Sequence, residues 1–351
     1  MAWGVATVQA VGWRVPAFNC LKRRWAPRQS RRLVLLLSSA LLVSSAGAGE
    51  RAGPIRIGAL TESWGPTPSI VGLRDGLVER GYRDGQQFIM GVRFTQGDIT
   101  ALPAAARQLI QAGADIIVAS GANASKAAQA ATSRIPIVFA DRVGDPVRMG
   151  LVQSFARPGA NITGVTDLDL ELAPKRLEIF REMIPGLKRV LLVYDATDAY
   201  GVVIADAYRD AARRLGIVLV EKAVRTEKEA RATLANVRKG DIDGILGAST
   251  VSLNIPSFSL QAASLQAIPT MFNDIFWVER ASALASYGPK MYESGWQAAR
   301  LVDKILKGGD PARIPVEVNP KMDLAINLKV AETLGVVIPP GVLARADRLV
   351  Q

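Results

Sequence analysis

Along residues 54–140, short apolar runs alternate with stretches in which apolar residues recur every three or four positions. PIRIGAL (54–60) is a β-rich run, and PTPSIVGLRDGLVERGY then places Ile70, Leu73, Leu77 and Val78 at helical spacing before Gly81. QFIMGVRFT (87–95) predicts a second strand, ALPAAARQLIQAG a helix, ADIIVAS (114–120) a strand, SKAAQAATS a helix and IPIVFA a further strand. Strands that are apolar almost throughout, each followed by a helix, predict a parallel sheet covered on both faces.

After the turn-rich stretch PGANITGVT (158–166) the pattern restarts. KRLEIFREMIP predicts a helix, RVLLVYD (189–195) a strand, and GVVIADAYRDAARRLG a helix closed by Gly216. IVLVEKAV, the helix TEKEARATLANVRKG, the strand DGILGAS (243–249), a helix near 252–266 and IPTMFN (268–273) come next. A strand SALASYG (282–288), the helix PKMYESGWQAARLVDKILKGG, a strand MDLAINL and a small closing helix complete the chain. Two similar halves in series predict a duplicated, doubly wound α/β architecture.

The first 48 residues do not fit this rhythm. They hold Arg14, Lys22, Arg23, Arg24, Arg28, Arg31 and Arg32 with no acidic residue, then LVLLLSSALLV, and the small-residue stretch SSAGAGE begins at Ser44 and runs past them to Glu50. Basic, apolar and small-residue regions in that order predict an export signal removed after about Ala48. The apolar run is shorter than the ~20 residues of a membrane-spanning helix. The paired Arg31 and Arg32 suit twin-arginine export and the general basic region of a Sec signal alike. Either route implies a periplasmic destination.

This segment changes the charge of the remainder. The whole chain has 43 Lys and Arg against 32 Asp and Glu, and setting the seven basic residues aside lowers its formal charge from +11 to +4. No clustered basic face remains, so nucleic acid is not an expected partner. The one cysteine, Cys20, lies within the predicted signal, leaving the mature part without thiol or disulfide. There is no histidine, which removes Ser-His and Cys-His nucleophile pairs and almost every zinc site. The stretch GANAS lacks the lysine of a phosphate loop, and no cofactor is expected.

The segments PIRIGAL, GLVERGY, DIIVASG, IPIVFA, GDPV, RPGANITGV, ASYGP, ILKGGDPARIPVE and INLKVAETLGVVIPPGVLARAD succeed one another in an order and spacing that resembles the ABC transporter substrate-binding protein family. Its nearest described members bind tryptophan-like amino acids. The resemblance covers about residues 54–349. It implies a type I periplasmic-binding-protein-like α/β fold, with two doubly wound parallel-sheet lobes joined by three crossovers and closing around a small molecule. It also implies delivery to an ABC permease in the inner membrane, with the protein acting as a monomer and not as an enzyme. Mapped on this chain, residues 54–160 plus 276–307 would form lobe 1 and 161–275 plus 308–351 lobe 2. The crossovers would lie near 158–164, 274–282 and 308–323, where Pro158, Gly159, Gly164, Gly308, Gly309, Pro311 and Pro315 stand.

In an open parallel sheet, ligands bind outside the carboxyl ends of the strands. That rule selects Thr61, Glu62, Ser63 and Trp64 after the first strand, and Ser120, Gly121 and Asn123 after the third. Asp141, Arg142 and Asp145 come after IPIVFA; Tyr194, Asp195 and Thr197 end RVLLVYD; Ser249 and Thr250, then Asn273 and Asp274, come from later strands. Trp64 could stack on a ligand, and Asp141 or Asp145 could take an ammonium group or else pair with Arg142 or cap a helix beginning at Pro146. Two other functions remain open on the sequence. One is an extracytoplasmic sensor signalling to a membrane receptor; the other is a secreted carboxylate enzyme, for which Glu62 with Asp141 is the pairing to test.

Overall fold

The computed structural model of the protein describes residues 53–167, 169–247 and 251–351; the predicted export signal, Ser249 and Thr250 lie outside them. The alternating pattern produces β1 (Ile55–Thr61), α1 (Pro68–Glu79), β2 (Phe88–Phe94), α2 (Leu102–Gln111), β3 (Ile116–Ser120), α3 (Ala122–Ala131), β4 (Ile137–Ala140) and β5 (Ile162–Thr166). Next come α4 (Asp169–Met183), β6 (Arg189–Asp195), α5 (Ala199–Leu215), β7 (Val218–Val224), α6 (Glu227–Ala235), β8 (Gly244–Leu246), α7 (Ile255–Gln266), β9 (Thr270–Phe272), α8 (Ile275–Ala281) and β10 (Ala285–Pro289). The chain ends with α9 (Met291–Leu306), β11 (Glu317–Val318), β12 (Met322–Asn327), α10 (Leu328–Leu334), α11 (Pro340–Leu343) and β13 (Arg348–Val350).

These elements form two sheets. Lobe 1 carries the all-parallel order β11-β5-β4-β3-β1-β2, and lobe 2 the order β13-β12-β10-β9-β8-β6-β7, in which only the β10–β12 pairing is antiparallel. The strands β3 and β4 are buried along their whole length, as a sheet packed on both faces requires. Apolar packing also runs between lobes, because Val143 of lobe 1 belongs to the same buried cluster as Leu170 and Tyr200 of lobe 2. Among the described residues no helix is long and apolar enough to cross a membrane.

The sheets divide the chain differently from the sequence-based boundaries. Residues 162–166 pair with β4 in lobe 1, whereas 285–289 pair with β9 and β12 in lobe 2. The short β11 returns to lobe 1 beside β5. The three links therefore fall just after Thr166, at Lys290 and at 319–321. Pro158 and Gly159 turn the chain before β5 without moving it to the other sheet, which is why turn chemistry misplaced the first link. Asn319 binds the links together: its N–H donates to Thr166 O at 2.7 Å, and its Nδ2 donates to Lys290 O at 3.0 Å and to Ser294 Oγ at 2.9 Å.

Beyond the second link, α9 packs against α1 at unusually short range. Gly72 and Gly76 lie four residues apart on one face of α1. A Cβ at Gly72 would stand 2.0 Å from Tyr292 O, and one at Gly295 would stand 1.8 Å from Ser69 O. Alanine raises helix propensity over glycine by about 1 kcal/mol, but backbone atoms cannot yield two ångströms locally, so the clash outweighs the gain. Gly295→Ala is expected to destabilise the protein by about 3 kcal/mol, read by denaturant unfolding. Gly186→Ala, with nothing within 4 Å of its would-be Cβ, should stay within about 0.5 kcal/mol of the parent.

Candidate functional site

Parallel pairing places the carboxyl ends of β1, β3 and β4 side by side, with Thr61 opposite Ser120 and Ser120 opposite Ala140. The side chains gathered at these ends are polar and buried. Asn123 Nδ2 donates to Glu62 Oε2 at 3.1 Å, and Ser120 Oγ lies 3.1 and 3.2 Å from the two oxygens of Asp141. Thr67 and Ser69, at the start of α1, extend this relay: their hydroxyls are 2.7 Å apart, and Ser69 Oγ is 3.4 Å from Ser120 Oγ.

Directly after β4 the backbone enters the left-handed region at two residues with side chains, Asp141 at φ 48° and Arg142 at φ 35°. Such conformations cost about 1–3 kcal/mol each and persist only where the surroundings hold them. Here the Arg142 N–H donates to the Asp167 carboxylate on the first link, and Arg142 O accepts from Ala122 N at 3.2 Å. The turn brings Arg142 Nε to 3.7 Å from Asp141 Oδ1, with 11% of the arginine side chain exposed.

Charge converges on this guanidinium from both lobes. Asp141, Asp274, Glu62 and Asp167 all act on it and together hold its proton more firmly, against the opposing effect of burial. Asp274 stands at the start of α8 in lobe 2, where its Oδ1 accepts from Phe276 N at 2.9 Å. Glu62 also feels Asp198, at the start of α5 in lobe 2. Burial pushes the Glu62 carboxyl up to about 6, opposed by Arg142 and the Asn123 hydrogen bond and reinforced by Asp198 and Asp141. Burial likewise raises Asp141 and Asp274, each opposed by Arg142, and raises Asp167, which also feels Asp169 and Asp141.

A second buried charge is closed on itself. Arg176 of α4 donates from Nη2 to Asp169 Oδ1 at 2.5 Å, from Nη1 to Tyr208 Oη at 2.5 Å and from Nε to Tyr287 O at 2.7 Å. Tyr200 Oη donates to the other Asp169 oxygen at 2.8 Å. These bonds occupy Asp169 and tie the start of α4 to β10. Among the described residues no group of three His, Cys, Asp or Glu side chains is placed to hold a metal ion.

The structure sorts the residues selected from sequence. Ser120, Asn123, Asp141, Glu62 and Asp274 belong to the polar seam between the lobes. Asn273 is buried beside Asp274, and its Nδ2 has no partner. Thr61 and Ser63 serve a local turn, with Thr61 Oγ1 donating to Ser63 Oγ at 3.1 Å and Ser63 Oγ to Gly65 O at 2.5 Å. Gly121 caps α3, its carbonyl accepting Ser125 Oγ at 2.6 Å. Trp64 is 52% exposed, and its ring edge packs beside Gly97. Asp195 Oδ1 is taken by Thr197 N at 2.8 Å and Thr197 Oγ1 at 2.6 Å, and Tyr194 is half-buried against the core.

Asp145 takes the capping alternative: its Oδ1 accepts from Val147 N at 2.9 Å and Arg148 N at 3.2 Å, and it lines an outer groove with Leu170, Glu171 and Val203. The helix expected from Pro146 is a series of turns. The strand-end rule passed over Asp167, which comes directly after β5 and so obeys it, because that stretch read as a crossover. It also missed Asp198, three residues beyond β6. Ser286, buried within β10 with its Oγ unpartnered, carries no sequence signal.

The raised carboxyls have a definite pH signature. An acid that holds its proton more tightly folded than unfolded supplies stability at low pH that is lost as pH rises through the folded value. For Glu62, moved from 4.5 to about 6, the loss between pH 4.5 and 7 is roughly 2 kcal/mol. Denaturant unfolding across that range should show Glu62→Gln losing about this much less stability than the parent; parallel profiles would contradict the assignment.

Comparison with known proteins agrees with this architecture. The ABC transporter substrate binding protein family profile matches residues 60–350. A tyrosine-binding protein of Clostridioides difficile (strain R20291) is 28% identical over 259 residues, 73% of this chain and 73% of that protein. The crystal structure of a conserved domain protein from Vibrio cholerae is 30% identical with a TM-score of 0.77, covering 84% of this chain and 99% of that one. An ABC domain from Streptococcus pneumonia in complex with L-Trp is 24% identical with a TM-score of 0.74, covering 85% and 100%. With nearly all of its α/β body matched in sequence and in fold, this chain belongs to the ABC transporter substrate-binding protein family.

Proposed function

We propose that the protein captures an amino acid or a similar small zwitterion between its lobes and passes it, unaltered, to an ABC permease in the inner membrane. On this reading it is an exported, periplasmic monomer. The observation that carries the proposal is the turn at Arg142, where Asp141 lies 3.7 Å from the guanidinium and Glu62 and, from lobe 2, Asp274 act on the same charge, while Asn273 and Ser286 of lobe 2 bury an amide and a hydroxyl without partners. A zwitterion entering a crevice exchanges water for polar partners, since a buried charge without one costs several kcal/mol. Asp141 and Asp274 suit its ammonium group, while Arg142 and the free Asn273 donors suit its carboxylate. The tyrosine-binding relative and the L-Trp complex support an amino acid as the guest.

The mechanism rests on contacts that exist only when the lobes meet. A ligand touching both lobes binds the closed population better than the open one, and shifts the equilibrium by that difference alone. Asp141 adds to the burial that raises the Asp274 carboxyl, opposed by Arg142, so an incoming ammonium offsets like charge as it is enclosed.

Mass spectrometry of the solute that co-purifies, followed by thermal-shift screening of the proteinogenic amino acids, tests the assignment. At least one amino acid should raise the midpoint in proportion to its saturation, and a flat response to all would refute it. Asp274→Asn keeps the α8 cap but removes the charge. It should weaken the amino acid found by about 10- to 100-fold while leaving the ligand-free protein no less stable, as isothermal titration and unfolding would record. Unchanged affinity would remove Asp274 from the site.

A further inference from the structure

Two glycines of lobe 1 touch lobe 2. Gly97, in the loop after β2 at φ +85°, would carry a Cβ 3.1 Å from Val251 O of lobe 2 and 3.1 Å from Cη2 of Trp64. Gly144, after β4 at φ +64°, would carry one 3.0 Å from Cε2 of Tyr200 and 3.1 Å from Cδ1 of Leu170, both in lobe 2. Each is fixed to its own surroundings. Gly97 N donates to Glu62 O at 2.7 Å, and the preceding Gln96 N donates to Ser63 O at 3.2 Å, so this loop moves with the strand end that bears Glu62. Gly144 O accepts the hydroxyl of Thr166, the last residue before the first link. One contact therefore lies beside Trp64 at the rim and the other beside the hinge.

We propose that Gly97 and Gly144 are positioning residues that set how far the lobes close, each leaving room for a group of lobe 2 that any side chain would exclude. A bare Cβ already meets its neighbours at the limit of ordinary packing, and a leucine adds three carbons where no space is left. The opposing group at Gly97 is backbone, which cannot rotate aside; the opposing groups at Gly144 are a buried tyrosine ring, held by its bond to Asp169, and a buried leucine. A bulky residue at either position thus holds the lobes apart; at Gly97 it also pushes on the exposed Trp64 ring of its own lobe, which has solvent to turn into. The ligand then meets a protein whose binding-competent fraction is reduced, and its apparent dissociation constant rises by the inverse of that fraction.

The left-handed backbone at these positions penalises any side chain by itself, and Gly85 isolates that effect. It lies in lobe 1 at φ +76° with nothing within 4 Å of its would-be Cβ. The inference rests on lobe closure as proposed above, and the experiment separates the two. Spin labels on Lys126→Cys of α3 and Lys228→Cys of α6, both exposed, in a full chain carrying Cys20→Ser, report the distance between lobes with and without saturating L-tyrosine or L-tryptophan. The parent and Gly85→Leu should show a short-distance population that grows with the amino acid. Gly97→Leu and Gly144→Leu should remain at the longer distance and bind at least tenfold more weakly than Gly85→Leu, with melting no lower than that control. Full closure and equal affinity in both variants would overturn the assignment of the seats. A single unchanging distance in the parent with every amino acid would refute closure itself, and the seats with it.

Discussion

A guanidinium enclosed among carboxylates from two separate lobes is the constraint around which this molecule is arranged. Arg142 lies beside Asp141 and feels the charge of Glu62 from its own lobe and of Asp274 from the other. A single positive charge cannot balance that many buried acids, so burial raises their affinity for protons and the closed seam favours added positive charge. On the proposed reading, energy withheld from closure in the empty state is recovered when a guest brings its own ammonium.

Holding Arg142 there requires two consecutive residues in a backbone conformation that side chains disfavour. The strain is borne by the first link, through Asp167, and by the start of α3, through Ala122. The links are themselves knotted together. Asn319 joins all three, and Arg176 fastens the start of α4 to β10 with every guanidinium nitrogen engaged. The short approach of α9 to α1 adds a further tight contact beyond the second link.

The rule that ligand groups stand at the carboxyl ends of parallel strands selected Ser120, Asn123, Asp141 and Asp274 from the sequence, and the fold gathers them at strand ends because these positions are adjacent wherever a parallel sheet forms. Asp195 and Asp145 lie just as close to strand ends, and like Asp274 they accept backbone N–H groups two or three residues ahead; Asp274 differs in acting on Arg142 of the other lobe as well. Local capping competes with more distant partners for the same atoms, and only the fold shows which partners come within reach. Nor could the pattern locate the links, since Pro and Gly mark where a chain turns and not which sheet it joins next.

By itself the sequence determined the alternation of strand and helix, the duplicated α/β plan, the missing histidine chemistry and the family, because these depend on local periodicity, composition and the order of segments. The tertiary structure decided which strands share a sheet, that Asp274 comes within electrostatic reach of Arg142, and that Gly97 and Gly144 stand against the opposite lobe. Those are meetings between residues roughly 30 to 150 positions apart. Distance along the chain holds no record of them until both lobes have folded and come together.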